Sequence, residues 1–310
     1  MKRLNALLLL PHIRIQNANM ISGPLSWGFP AMTAFLGAVH RLFRDGDFPA
    51  ESVGVGVVCH AFQPQASRVP GNYAHSLHLC RFPVDEKGAA ASIIEEGRIH
   101  LEVSLVLGMA AELEAEAEGP VLAEAIQERL RGLSLAGGSI LPGGEKATWQ
   151  DLPEARSEQC KVFRRFRRRL LPGFALVERR DFLQAHLAAL RETQPEAGTL
   201  DALLDICRLH WEVEADPDDP ERGLWTIRER SGWFVPIPAG FRALSPLHAP
   251  GSVRNARDRE TPFCFVESLY TLGQWKSPHR LASPQELLWR YRTDEAAGLY
   301  LCTQTQGELS

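Results

Sequence analysis

Leu7–Leu10 is a run of four leucines closed by Pro11, set inside the longer apolar segment Leu4–Ile15. A stretch that is apolar on successive residues has no polar face to offer water, so as a strand it must be covered on both sides. Leu4–Ile15 is therefore read as a buried first strand. Pro11 marks a bulge or an edge within it, because proline lacks the N–H that a ladder needs. The run is far shorter than the roughly 20 apolar residues of a membrane-spanning helix, and it has no small-residue cleavage site of a leader. No membrane association is expected, and the expected location is cytoplasmic.

The rest of the chain alternates between strand and helix patterns. A polar loop is expected over Gln16–Ser26, where Asn, Ser, Gly and Pro favour turns. Ala31–Phe43 follows with helical spacing of Phe35, Val39 and Leu42. Ser52–Phe62, His75–Phe82 and Arg98–Leu107 read as strands, the last alternating polar with apolar residues. Val121–Leu133, Gln159–Leu171, Asp181–Glu192 and Leu200–Cys207 read as helices, with Asp181 placed as a cap. Trp211–Glu214 and Trp225–Arg230 suit a hairpin around an acidic loop, Asp216–Glu221. Trp233–Ala239, holding Pro236 and Pro238, must be an edge or extended segment. Phe263–Leu272 and Pro284–Tyr291 are read as helices and Leu299–Gln304 as a closing strand. The opening order of strand, loop, helix, strand and strand suits an α+β fold with a modified ferredoxin-like, RNA-recognition-type sheet carrying inserted helices and hairpins. With 310 residues, 45% of them apolar, one elaborated domain over 1–310 is expected.

Charge is unevenly spread. The chain carries a net −4, yet Lys161–Arg180 holds eight basic residues against Glu178 alone, a local +7 that leaves −11 for the remainder. Such a distribution suits a protein with one surface turned toward a polyanion. On a continuous helix Arg164 and Arg168 share a face, as do Arg165 and Arg169, while Phe163, Phe166 and Leu170 form an apolar stripe that anchors the helix. A planar guanidinium donates paired hydrogen bonds to phosphate and stacks on bases. Five arginines within six positions repel one another without an anion nearby, which favours polyanion binding over a merely solvated helix.

Two further constellations leave alternatives open. Gln16, Asn17 and Asn19 with Trp27 can read base edges and stack on unpaired bases, or the amides can brace their own loop while Trp27 and Phe29 fill the core. Arg254, Asn255, Arg257 and Arg259 can meet phosphates, or Asp258 and Glu260 can neutralise the arginines in a local network. The apolar strip Trp233–Phe241 either marks a partner surface or packs on its own core.

Chemistry-bearing motifs are sparse. There is no P-loop, no GxGxxG after a strand, no HExxH and no GxSxG. Gly137-Gly138 and Gly143-Gly144 read as a corner needing positive φ more readily than as a phosphate cradle. Cys59, Cys80, Cys160, Cys207, Cys264 and Cys302 stand singly, which argues against a zinc ribbon or a disulfide framework. A soft-metal set from Cys59, His60, His75, His78 and Cys80 is conceivable, but strand alternation explains the same string. His12, His40 and His60 are candidates for acid–base RNA cleavage, though a lone histidine is more often structural. No catalytic residue, metal or cofactor is expected.

At these residues a family resemblance emerges. The blocks LLLLPHIRIQNANMISGPLSWGFPAMTAFLGAVH, GVGVVCHAF, EEGRIHLEVSLVLG, LAGGSILP, RRLLPGFALV, TLDALLDIC, VPIPAGFRALSP, VRNARDRETPFCFVESLYTLGQW and SPHRL resemble, in order, the Csy2 family, the Cas5-like subunit of type I-F CRISPR surveillance complexes. Only the stretches around 109–130, 143–158 and 212–224 carry no resemblance and read as insertions. The resemblance implies a non-catalytic RNA-binding subunit that holds the 5′ handle of the CRISPR RNA and pairs with the large subunit. It also implies a position against the adjacent backbone subunit, with target DNA near the same end of the complex. On this reading the RNA-facing residues are Gln16, Asn17, Asn19, Trp27, Arg164, Arg165, Arg168, Arg169, Arg254, Asn255, Arg257 and Arg259. Two rivals remain: an endoribonuclease on the same fold, and a pure protein scaffold.

Overall fold

In the computed structural model the leucine run lies near the centre of a large antiparallel sheet. The structure describes residues 2–68, 71, 74–81, 84–115, 117–215, 223–229, 232–256 and 258–305. Strand β1 (Ala6–Asn19) is followed by the small hairpin β2 (Ile21–Gly23) and β3 (Ser26–Trp27), helix α1 (Met32–Arg44) and strand β4 (Ala50–Pro64). Short strands β5 (Ala66–Arg68), β6 (His75–Leu77), β7 (Leu79–Arg81) and β8 (Ile93–Glu95) pair as two hairpins before β9 (Arg98–Ala111). Helix α2 (Glu118–Arg131) leads to β10 (Ser134–Leu135), β11 (Gly138–Ile140) and β12 (Thr148–Asp151). Helix α3 (Arg156–Phe166) tightens into a 3-10 turn, Arg167–Leu170, ahead of β13 (Phe174–Glu178), α4 (Arg180–Thr193) and α5 (Thr199–Cys207). The chain closes through hairpin β14 (Trp211–Ala215) and β15 (Gly223–Ile227), then β16 (Trp233–Ala243), β17 (Val266–Lys276), β18 (Arg290–Asp294) and β19 (Leu299–Thr303).

The main sheet runs β10-β11-β1-β9-β4-β13-β17-β16-β19-β18, with β12 also on β1. The molecule is thus a mixed α and β structure. An isolated bridge between Val55 and Trp289 ties the segment before β18 back to β4, so the sheet curls on itself. Because side chains alternate along a strand, neighbouring leucines serve opposite faces. Leu8 and Leu10 join Met32, Phe35, Val39 and Leu42 of α1, whereas Leu7 and Leu9 join Phe163, Phe166 and Leu170 beneath α3. A smaller cluster gathers Leu183, Ala202, Leu203 and Ile206 from α4 and α5 over Leu272. Pro11 falls in a register shift between Leu10 and Ile13, the bulge that a proline in a central strand requires.

Several expectations need correction. The polar loop begins later than expected: β1 continues to Asn19, with Gln16 opposite Ser139, and the remainder forms the β2–β3 hairpin. Phe263–Leu272 is no helix, because Val266–Lys276 is held on both sides by β13 and β16 and a ladder on each flank outweighs helical spacing. Pro284–Tyr291 supplies only one 3-10 turn before β18. Leu287, Leu288 and Trp289 are all fully buried, which no single helical stripe allows. Asp181 sits in the first turn of α4 behind Arg179 at the cap, and it pairs with Arg179.

The proline and glycine readings hold. Pro236 and Pro238 lie where β16 pairs with β17 alone, since β19 joins only at Gly240–Arg242. The strip Trp233–Phe241 is nonetheless largely covered, its centre being buried with Ile237 and Ala239 in the core. The turn between β10 and β11 uses Ala136 at φ 51° and Gly137 at φ 76°, the corner reading of the glycine cluster. All six cysteines are free, and among the described residues no group of three metal-ligating side chains forms. The acidic loop Asp216–Glu221 and Arg257 lie outside the described residues. Among the described residues no helix is long and apolar enough to cross a membrane.

Candidate nucleic-acid interface

The arginine segment is anchored as its apolar stripe predicts. Phe163 is fully buried, Phe166 is 2% exposed and Leu170 fully buried, and the two rings stack with centroids 6.3 Å apart. Fully burying each such side chain is worth roughly 1.5–3 kcal/mol. Arg164, Arg165, Arg168 and Arg169 stand exposed on the outer side. Among the described residues none of the four has a carboxylate partner, and Arg169 Nη1 donates only to Thr148 Oγ1, at 3.3 Å. Their i, i+4 alignment is corrected by the structure: the α-helix stops at Phe166, and the 3-10 turn rotates Arg168 and Arg169 away from strict register. The four still form one uncompensated basic ridge.

Not all of the +7 stretch is available. The Arg167 guanidinium donates to the Leu281 carbonyl and serves as a brace. Arg179 is paired with Asp181, donates to Gln274 and lies 5.5 Å from the Phe182 ring centroid.

The second constellation divides. Asn17 takes φ 58° at the second register shift of β1, a left-handed conformation that asparagine tolerates. Its Oδ1 accepts from Gln65 Nε2 at 2.6 Å and its N–H donates to His100 Nδ1 at 3.2 Å. Asn19 Oδ1 accepts from the Ile21 N–H at 3.2 Å. Both amide oxygens therefore brace the local fold, while Gln16 is exposed. The aromatics also part company: Trp27 is 52% exposed beside His75, whereas Phe29 packs on Phe35 and Trp275. Phe29 belongs to the core on the α1 face, whereas the stripe beneath the arginine ridge belongs to the core on the α3 face.

The third constellation is a surface loop in which Arg254, Asn255 and Arg259 are exposed. Asp258 accepts from the Glu260 N–H and the Thr261 hydroxyl, which holds its carboxyl below the usual carboxylate range. Among the described residues it pairs with neither Arg254 nor Arg259.

The structure also joins two residues that the sequence offered only separately. His12 and His60 stack with ring centroids 4.2 Å apart across the gap between β1 and β4. His12 Nδ1 contacts Glu102 Oε1 at 2.6 Å, and His60 Nε2 contacts Ser104 Oγ at 2.7 Å. His60 Nδ1 lies 2.6 Å from the Pro172 carbonyl, so that nitrogen carries the proton and Nε2 accepts from Ser104. Burial holds the His60 imidazole below its ordinary value, the carbonyl of Pro172 opposes that, and neighbouring His12 adds to it. Cys59 beside it is buried with its thiol pushed up to about 12, which makes it inert as a nucleophile. His40 instead stacks on Tyr291, 5.8 Å away. Sequence spacing gave no sign of the His12–His60 pair, because β1 and β4 are separated by β9 and meet through long-range register alone.

A family model for CRISPR-associated protein (Cas_Csy2) matches residues 8–302. The chain belongs to the Csy2 family. It is 48% identical over 307 aligned residues, 95% of this chain and 94% of the relative, to the CRISPR-associated protein Csy2 of Pseudomonas aeruginosa (strain UCBPP-PA14). The match to the Csy2 model takes in α3, its basic turn, the Asn17–Trp27 region and the arginine loop before β17.

Proposed function

We propose that this Csy2-family chain is the subunit of a type I-F surveillance complex that grips the 5′ handle of the CRISPR RNA without cutting it. It pairs with the large subunit, abuts the adjacent backbone subunit, and lies near the target DNA, in the cytoplasm. The observation that carries the reading is the ridge Arg164, Arg165, Arg168 and Arg169: four exposed guanidiniums without carboxylate partners among the described residues, seated on buried aromatics, in a chain of net charge −4. Gln16, the amide nitrogens of Asn17 and Asn19, Trp27 and the loop of Arg254, Asn255, Arg257 and Arg259 complete the proposed surface.

The same reading treats the chain as one elaborated domain on a ferredoxin-like core. Its support is the order β11-β1-β9-β4, with α1 linking β1 to β4 and α2 linking β9 to β11, the split pattern of that fold.

The test is the salt dependence of binding to repeat-derived RNA. Replacing Arg165, Arg168 and Arg169 together with Ala should weaken binding similarly across sequences and flatten the slope of log K against log salt. The expected change is about 0.7 for each single-strand phosphate that is no longer neutralised. An unchanged slope refutes the assignment of the ridge. The endoribonuclease reading draws on one observation, the His12–His60 stack with Glu102 and Ser104. Both His60 ring nitrogens are already engaged within the fold, which favours the binder. Repeat RNA recovered intact after incubation supports that choice, and RNA cut at one position overturns it.

A further inference from the structure

On the α1 side of the sheet, a cleft of about 320 Å³ opens between the β2–β3 hairpin and the strands β4, β13, β17 and β16. Its aromatic floor follows from register. Phe174 opposes Cys59, Leu176 opposes Trp275, and Trp275 opposes Trp233. Alternate residues of a strand share a face, so Phe174, Trp275 and Trp233 rise side by side from three adjacent strands. Phe174 meets Trp233 edge-on at 5.7 Å. Trp27 closes the hairpin side and Phe62 the end of β4.

Trp275 packs partly on the core, but the other four rings are left open. Phe62 is 59% exposed, Trp27 52%, Trp233 49% and Phe174 45%. Aromatic surface gathered and left open at that density marks a recognition site. Polar groups line its wall: the Ser22 and Ser26 hydroxyls, 3.0 Å apart, and His60. A hydroxyl rotates to donate or accept, which suits the edge of a heterocycle. Gly28 beside them, at φ 116°, has no heavy atom within 4 Å of where a Cβ would sit, so the mouth is open.

We propose that this cleft takes one unpaired nucleobase, stacked on the aromatic floor with its edge toward the Ser22 and Ser26 hydroxyls. The proposal rests on the RNA-binding reading and adds a base subsite to it. Exposed aromatics on a β-sheet are the usual platform for single-stranded bases. The basic turn supplies the phosphate contacts nearby: Arg169 runs through Leu171–Gly173 into Phe174. Five residues separate the two by at most roughly 18 Å. A strand of RNA rounding that end of β13 thus meets arginines on one side and the cleft on the other.

The experiment uses the full chain and repeat-derived RNA in which each base in turn is removed to leave an abasic ribose. One position should lose affinity by about 5- to 150-fold, the range of a single base–aromatic stack. In Phe174→Leu or Phe62→Leu, base-bearing and abasic RNA at that position should bind alike, with the salt slope unchanged. If no position is sensitive, or if the sensitive one stays sensitive in both variants, the cleft proposal falls while salt-dependent RNA binding keeps the arginine ridge. If the variants leave RNA binding intact and weaken a protein partner instead, the cleft is a protein contact and the proposal is likewise overturned. Failure of the wild-type chain to bind RNA at any salt removes the RNA-binding reading and the subsite with it.

Discussion

Removing the Phe163 ring tests whether the arginine ridge depends on what lies beneath it. Phe163 has no exposed surface, stacks on Phe166, and shares a cluster with Leu7, Leu9 and Val106. Helix α3 buries only Gln159, Phe163 and Phe166 along its length, so the Phe163 ring is a large share of what holds it to the sheet. Phe163→Ala should therefore cost the full range for a core phenylalanine, about 3–5 kcal/mol. Phe163→Leu, which retains most of the volume, should cost on the order of 1 kcal/mol. Urea denaturation followed by circular dichroism measures both, read from the midpoint at constant slope. RNA affinity should fall in Phe163→Ala even though every arginine is present, because the ridge loses its seat. A loss below about 1 kcal/mol for the alanine variant, or an unchanged RNA affinity in a measurably loosened helix, would refute the argument that buried aromatics position the guanidiniums.

Two further outcomes are expected. His60 is held below its ordinary value of about 6.5 in the fold, so the unfolded chain binds more protons between the folded value and about 6.5. Stability should then be full above about pH 6.5 and decline as pH falls through that window. Thermal melts across it should show the decline in the wild type and a flatter profile in His60→Asn, and equal slopes would remove His60 as the cause. Asn17→Gly keeps the left-handed backbone but deletes the amide that accepts from Gln65. Its melting temperature should fall, and with the amide nitrogen lost from the proposed surface its affinity for the native handle should fall more than for a scrambled one, whereas a fall in melting temperature alone would confine Asn17 to bracing the loop.

Much of the architecture is legible in the sequence because it depends on local pattern. The leucine run, the alternation in Arg98–Leu107 and the spacing in α1 each constrain burial residue by residue, and β1, β9 and α1 form accordingly. The stripe Phe163, Phe166 and Leu170 is equally readable, and with it the outward placement of the arginines. Val266–Lys276 is not, because its strand identity comes from the two neighbours that flank it. Leu287–Trp289 escapes a local reading for a related reason: Trp289 Nε1 donates to the Leu176 carbonyl at 2.8 Å, a bond between residues remote in sequence.

The sequence by itself determined the family, the basic ridge and its hydrophobic seat, since order of blocks, charge and periodicity are properties of the chain. Tertiary structure alone decided which arginines stay free and which become braces, as Arg167 does on Leu281. It also decided that His12 meets His60 and that Phe174, Trp275 and Trp233 share one floor. The brace joins a 3-10 turn to a segment remote in sequence, and the two ring groupings are fixed by the register of strands far apart in sequence, where a shift of one residue would turn those side chains to the opposite face.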